Sequence, residues 1–228
     1  MQKSNSDPIE KEINGEPEWT VIWLHGLGAD GNDFLPIIRE LNLNDDFGVR
    51  FIFPHAPYRP ITINGGMTMR GWYDITSLDR NGNQDEDGIY QSVGDLRKLI
   101  DRELDRGIPQ KKIIIAGFSQ GGAIAIYTAL TLASELGGLI ALSTYMPLEK
   151  KFTDLAKNSN KIQSSKLPIF FAHGSYDPII PLSYGEKTKS FIEQFGYTVD
   201  WNEYPIEHSV SQREIEDIGQ WISRVLEL

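Results

Sequence analysis

Short apolar runs alternate along the chain with segments whose apolar residues recur every three or four positions. The runs are rich in β-branched and aromatic residues and predict buried strands at 19–24, 49–53, 113–115, 138–142, 167–172 and 197–201. The periodic segments predict helices at 34–41, 89–107, 123–135, 183–195 and 210–226. Strands that alternate with helices predict an α/β fold, with a mostly parallel central sheet covered by helices on both faces.

Three segments fall outside this alternation. Residues 1–18 form a polar lead-in, and residues 147–165 form a polar, partly helical excursion. Residues 54–88 form a long connection with a predicted hairpin, its strands at 61–63 and 67–69, and a connection of that length in a compact domain is usually functional. With no repeat, low-complexity tract, linker or lid-sized insertion, residues 19–228 are predicted to form one α/β domain without a large cap.

The apolar run at 113–115 leads directly into Gly117-Phe118-Ser119-Gln120-Gly121, followed by a helical pattern. Gly-x-Ser-x-Gly between a strand and a helix is typical of a nucleophile elbow, which exposes a serine hydroxyl on a strained turn. Gly117 and Gly121 are expected where any Cβ would collide with the neighbouring turn. We therefore predict that Ser119 is a catalytic nucleophile.

The four histidines all lie near predicted strand ends, where a parallel sheet places its functional loops. His208 follows the last strand and precedes the last helix, which is where this architecture places the general base. His25, His55 and His173 are expected instead to be structural loop residues that hydrogen-bond the backbone. The sequence thus predicts that His208 activates Ser119.

An acid should orient the base. Asp177 lies just past the predicted strand at 167–172, and one helix and one strand then separate it from His208. The alternatives are Asp154, Asp200 and Glu203. Asp154 lies in the polar excursion and Asp200 lies within a strand. Asp177 is therefore the predicted acid of the triad.

Two amides should stabilise the oxyanion. One is that of Gln120, the residue after the nucleophile, and the other is assigned to Leu27 in the loop after the first predicted strand. The same loop formally matches a dinucleotide-binding pattern through Gly26, Gly28 and Gly31. That pattern requires an acid at the end of the next strand, where this chain has a proline, so nucleotide binding is not expected.

The long connection also carries uncharged, adaptable side chains. Met67, Met69, Trp72 and Tyr73 are predicted to form one wall of an acyl-binding groove. The alternative is that this segment only covers an edge of the sheet.

Composition narrows the choice of partners. The net charge of -10 argues against a nucleic-acid surface and against attachment to anionic lipid. The absence of cysteine excludes disulfides, a thiol nucleophile and thiolate metal sites. No apolar run approaches the length of a membrane-spanning helix, and residues 1–17 lack the apolar core of a signal peptide. No stable membrane insertion and a cytoplasmic location are therefore expected. The oligomeric state is left open.

Several motifs together resemble the phospholipase/carboxylesterase family, which includes acyl-protein thioesterases and bacterial carboxylesterases of the α/β-hydrolase superfamily. The resemblance runs from about Trp19 to the C-terminus, and the segments that carry it are 21–31, 53–57, 69–74, 117–122 and 173–178. It implies a triad of Ser119, Asp177 and His208, oxyanion donors at Leu27 and Gln120, a place for Trp72 beside the acyl site, and no cofactor.

This chain departs from the family pattern in two ways: its lead-in is longer, and Glu207 stands where a glycine commonly precedes the catalytic histidine. A carboxylate there is expected to move the acid limb of activity to higher pH.

The predicted function is hydrolysis of carboxylic esters or thioesters through an acyl-enzyme on serine. Acyl-protein thioesterase and lysophospholipase activities are alternatives within this class, with a lipid-like ester or an acylated protein as substrate. A non-catalytic binding protein on a hydrolase fold would be expected to lack a triad member, and here all are present. A lipase acting at a membrane surface is disfavoured, because no lid-sized amphipathic insertion or basic patch is visible.

Overall fold

The computed structural model describes residues 7–77, 83–132, 135–158 and 166–227. Its strands are β1 (Ile9–Ile13), β2 (Trp19–Leu24), β3 (Val49–Phe53), β4 (Tyr58–Ile61), β5 (Met67–Arg70), β6 (Ile113–Phe118), β7 (Gly138–Leu142), β8 (Ile169–Gly174) and β9 (Val199–Tyr204). Its helices are α1 (Ile37–Glu40), α2 (Glu86–Asp105), α3 (Gln120–Thr131), α4 (Glu149–Asn158), α5 (Leu182–Glu193) and α6 (Gln212–Leu226).

Seven strands form the central sheet in the order β1-β3-β2-β6-β7-β8-β9. All neighbours pair in parallel except β1, which runs antiparallel to β3 at the edge. Strands β4 and β5 form a separate antiparallel hairpin. The predicted α/β fold with a mostly parallel sheet is confirmed, and none of the described segments forms a large cap.

Side chains of the strands alternate between two apolar layers, as the two-residue period of a strand requires. In β2, Ile22 and Leu24 join the core beneath α2, α3, α4 and α5, whereas Val21 and Trp23 join the core beneath α1 and α6. Because both faces are covered, β2 and β7 are buried at every position. This explains why they read as continuous apolar runs in the sequence.

Several element boundaries differ from the sequence-based expectation. The sheet begins at Ile9 rather than Trp19, because β1 pairs with β3 inside the stretch expected to be a lead-in. Helix α1 is a single short turn, and α3 ends at Thr131. Residues 78–82 of the long connection, 133–134 after α3, and 159–165 of the predicted excursion lie outside the described residues.

A buried carboxylate ties β2 and β3 to α2. Glu103 is fully buried, and its Oε2 accepts hydrogen bonds from Thr20 Oγ1 at 2.8 Å and from Arg50 Nη1 at 2.7 Å. Its Oε1 accepts from Arg106 Nη1 at 2.9 Å. Arg50 also donates to the exposed Glu12 of β1 at 2.9 Å. A charge buried in this way is tolerated only because donors surround it.

We predict that Glu103→Gln lowers the free energy of unfolding by roughly 3 kcal/mol, because it leaves the largely buried guanidinium of Arg50 without its carboxylate partner. Glu12→Gln is the matched control on the same arginine, and its side chain is 51% exposed. An exposed pair contributes little, so the control should lose less than about 1 kcal/mol. Urea unfolding measures both, and equal losses would contradict the central role given to Glu103.

Candidate active site

The turn between β6 and α3 holds Ser119 in an unusual backbone conformation. Ser119 has φ 54° and ψ -120° and sits at the N-cap of α3. Non-glycine residues rarely adopt a positive φ, and such strain persists only where the surroundings enforce it. Here the Ser119 amide donates to Leu142 O at 2.9 Å, and its carbonyl accepts from Thr144 Oγ1 at 2.6 Å. The end of β7 therefore holds the strained turn in place.

The two glycines of the motif permit close backbone contacts. A Cβ on Gly117 would lie 2.5 Å from Gly121 C, and a Cβ on Gly121 would lie 2.5 Å from His25 O. The sequence-based expectation that neither position has room for a side chain is confirmed. The start of α3 can therefore rest directly on the end of β2.

Loops at the carboxyl ends of β8 and β9 bring Asp177 and His208 to Ser119. His208 Nε2 lies 2.8 Å from Ser119 Oγ, and His208 Nδ1 lies 2.6 Å from Asp177 Oδ2. A carboxylate oxygen can only accept, so Nδ1 carries the proton and Nε2 is free to accept the serine proton. Phe118 packs against the imidazole at 4.8 Å between ring centroids. The three residues predicted as a triad thus form one hydrogen-bonded chain.

Asp177 is fixed and kept ionised by backbone amides as well as by His208. Its Oδ1 accepts from Ile179 N and Ile180 N, each at 2.8 Å. Burial alone would raise the pKa of the carboxyl, but the hydrogen bonds from His208 and from these amides outweigh it and leave the pKa below its usual value. Glu207, the departure noted in the sequence, is exposed to solvent.

The other three histidines bond to backbone groups, as predicted. His25 Nε2 accepts from Ala56 N at 3.0 Å, and His55 Nδ1 accepts from Gly31 N at 3.0 Å. His173 Nε2 donates to Ile180 O at 2.7 Å. Burial lowers the pKa of all three imidazoles, which keeps them neutral in the folded protein.

His25 also orients the loop that carries Leu27. Because Nε2 accepts from an amide, Nδ1 carries the proton, and it donates to Gly26 O at 2.7 Å. Gly26 C=O and Leu27 N–H belong to one trans peptide unit, so fixing the carbonyl also fixes the amide, which points the opposite way. Gln120 is the first residue of α3, where an amide has no partner within the helix. Both predicted oxyanion residues line the same cavity as Ser119.

The Gln120 side chain has a role that sequence reasoning missed. Its Nε2 donates to Tyr73 O and its Oε1 accepts from Trp72 N, both at 2.7 Å. The residue that follows Ser119 therefore fixes the connection between β5 and α2. The available signal was a polar side chain in a buried turn, which must find partners.

A cavity of about 460 Å³ opens beside Ser119 and His208, and we call it the Ser119 cavity. Its lining includes Leu27, Gln120 and Tyr73. Apolar wall residues that the sequence did not single out are Phe34, Ile75, Tyr145, Ile180 and Val210. They come from five separate loops, which no sequence pattern brings together.

Three residues expected in the acyl wall lie elsewhere. Trp72 is 4% exposed and does not line the Ser119 cavity, because its ring packs on His25 and its Nε1 donates to His25 O at 2.8 Å. Met67 is 63% exposed on the hairpin, and Met69 lies beside it. Neither methionine lines the cavity, so of the four expected residues only Tyr73 does.

Among the described residues, no group of three His, Asp or Glu side chains is placed to hold a metal ion. None of the described helices is long and apolar enough to cross a membrane.

Solved structures with this architecture define the class. The crystal structure of Arabidopsis thaliana SOBER1 has a TM-score of 0.83 at 29% identity, covering 91% of this chain and 99% of that one. Zea mays acyl-protein thioesterase 2 has a TM-score of 0.84 and covers 96% and 99%, and at 22% identity it shows the fold alone. The protein is an α/β hydrolase with a serine at its nucleophile elbow.

Sequence comparison then gives the family. A model of the phospholipase/carboxylesterase family matches residues 9–226. Acyl-protein thioesterase 1 of Neurospora crassa is 39% identical over 214 residues, covering 91% of this chain and 86% of that protein. Its namesake in Cryptococcus neoformans is 36% identical over 224 residues, covering 91% and 92%. The chain belongs to the phospholipase/carboxylesterase family and is a serine hydrolase of carboxylic esters or thioesters.

We predict that His25 makes stability fall in acid. Its pKa is 6.5 in the reference state and about 4 in the folded protein, mainly because of burial, so the unfolded chain takes up the proton first as pH falls. The contribution of His25 to the free energy of unfolding is complete above pH 6.5. It is lost progressively down to pH 4, and the total loss is about 3 kcal/mol.

The test is urea unfolding across that pH range. His25→Gln removes the titrating ring and should flatten the pH dependence, whereas His55→Gln, at a less buried imidazole, should change it less. An unchanged profile in His25→Gln would contradict the prediction.

Proposed function

We propose that Ser119 attacks the carbonyl carbon of an ester or thioester, with His208 as general base and Asp177 as its orienting acid. The supporting observation is the continuous hydrogen-bonded chain from Ser119 Oγ through both imidazole nitrogens to Asp177 Oδ2. The amides of Leu27 and Gln120 are proposed to stabilise the oxyanion of the tetrahedral intermediate.

The reaction then has two halves. As Ser119 Oγ bonds to the carbonyl carbon, its proton passes to His208 Nε2, and the imidazolium is stabilised by ionised Asp177. Collapse of the intermediate breaks the bond to the leaving group, which takes that proton as an alcohol or thiol. Water then gives a proton to His208 and attacks the acyl-enzyme, which releases the carboxylic acid and restores Ser119.

The acyl part of the substrate is proposed to occupy the Ser119 cavity, because its wall is built largely from apolar and aromatic side chains such as Ile75, Tyr145 and Val210. Since the relatives reported above are named acyl-protein thioesterases, an acylated protein is the first substrate class to test. A panel of p-nitrophenyl esters, S-acylated peptides and lysophospholipids separates the thioesterase, carboxylesterase and lysophospholipase alternatives. A cytoplasmic location stays a prediction.

Ser119→Ala should abolish hydrolysis, with a loss of kcat/KM on the order of a million-fold, because it removes the nucleophilic oxygen alone. Circular dichroism should show an intact fold, since the backbone contacts of the turn are kept. Activity within tenfold of the parent on p-nitrophenyl esters would place the nucleophile elsewhere.

His208→Ala should match Ser119→Ala, because removing one member of a concerted unit costs nearly as much as removing all. His173→Ala and His55→Ala are the controls, since both rings bond to backbone groups. These controls should lose stability and at most a modest fraction of the rate. A folded but inactive His173→Ala beside an active His208→Ala would reverse the assignment of the base.

A further inference from the structure

Two tyrosines, Tyr73 and Tyr145, line the Ser119 cavity. Tyr73 and Tyr145 are both buried, and their hydroxyl oxygens lie 2.7 Å apart. The hydrogen bond between the two hydroxyls lowers the free-energy cost of burying them in an apolar wall, compared with hydroxyls that have no partner.

Tyr145 borders two spaces. It lines the Ser119 cavity, and it also lines a neighbouring groove of about 890 Å³, which we call the Met146 groove. Apolar side chains on the groove side are Met146, Leu148 and Phe191. Tyr145 therefore borders both the catalytic space and a second space in which more apolar chain could be buried.

Both tyrosines are fixed relative to the nucleophile. The carbonyl of Tyr73 is bonded by the Gln120 side chain at 2.7 Å. On the other side, Thr144 donates to the Ser119 carbonyl at 2.6 Å, and Met146 N donates to Thr188 Oγ1 at 2.8 Å, so the residues flanking Tyr145 are held. The distance between the reacting serine and the tyrosine pair is thereby set by the fold.

We propose that Tyr145 is the wall that ends the acyl site and sets the longest acyl chain hydrolysed efficiently, with Tyr73 as the positioning residue that holds its ring. This rests on the proposed use of the Ser119 cavity by the acyl chain. A chain that fits the cavity gains binding from each methylene, whereas a longer chain meets the Tyr145 ring and gains nothing more.

The experiment measures kcat/KM for p-nitrophenyl acetate, butyrate, octanoate, dodecanoate and hexadecanoate. In the parent protein, kcat/KM should rise by up to about fourfold per methylene and then stop rising once the chain reaches the pair. Tyr145→Ala removes the ring and joins the cavity to the Met146 groove. The ratio of kcat/KM for the hexadecanoate ester to kcat/KM for the octanoate ester should then rise by about tenfold or more. Such a rise corresponds to two further buried methylenes.

Tyr73→Phe keeps both rings and removes the hydroxyl that bonds to Tyr145, so the same ratio should rise by a smaller factor. It also tests the proposal if Tyr145→Ala fails to fold. The matched control is Tyr204→Phe, which loses a comparable bond from a buried tyrosine to Asp217 at 2.9 Å and should leave the ratio unchanged. Circular dichroism and thermal unfolding check each variant.

A ratio unchanged from the parent in folded Tyr145→Ala, or an equal loss at every chain length, would overturn the proposal. An unchanged ratio in Tyr73→Phe would overturn the role given to Tyr73. If the parent hydrolysed neither these esters nor the S-acylated peptides, or if Ser119→Ala were as active as the parent, the proposed function itself would fail. The series separates that result from failure of the wall alone.

Discussion

The site depends on the direct contact between the backbone at the start of α3 and the end of β2. Gly121 lies against the carbonyls of Leu24 and His25, so closely that a Cβ would come within 2.6 Å of either oxygen. Ser119 and the loop that carries Leu27 are consequently held at a fixed separation. Any side chain at Gly121 would push the Ser119 turn away from the loop that carries Leu27, so glycine is required here because of the short distance and not because of its flexibility.

Asp177 and His208 are held near Ser119 because the backbone pairing of the sheet continues into their loops. Beyond the ends of β8 and β9, Ser175 N still donates to Tyr204 O at 2.8 Å, and Tyr176 N donates to Ile206 O at 3.0 Å. The backbone therefore holds the loops that carry Asp177 and His208 side by side, independently of the hydrogen bond between the two side chains. This backbone support, together with the amides on Asp177 Oδ1, leaves the imidazole one favoured tautomer.

The local sequence pattern predicts an element correctly where burial or the order of strands along the chain determines it. It fails where the structure of a segment depends on a partner that is distant in the sequence. Strand β1 reads Ile-Glu-Lys-Glu-Ile, which lacks an apolar run, and it is a strand because it pairs with the exposed edge of β3. Trp72 packs on His25 and does not line the Ser119 cavity. Its indole N–H needs a partner when buried, and the partner lies on the His25 loop.

By itself, the sequence determined the alternation of strands and helices, the strand-to-helix turn at Ser119 and the family. Each of these can be recognised from short-range periodicity or from contiguous motifs. It also singled out Asp177 and His208, since chain order places them after successive strands. Only the tertiary structure decided which side chains line the Ser119 cavity, and that Tyr73 meets Tyr145 although 72 residues separate them. The reason is physical: a cavity wall is assembled from loops at one edge of a sheet, and the distances between them are set by packing rather than by spacing along the chain.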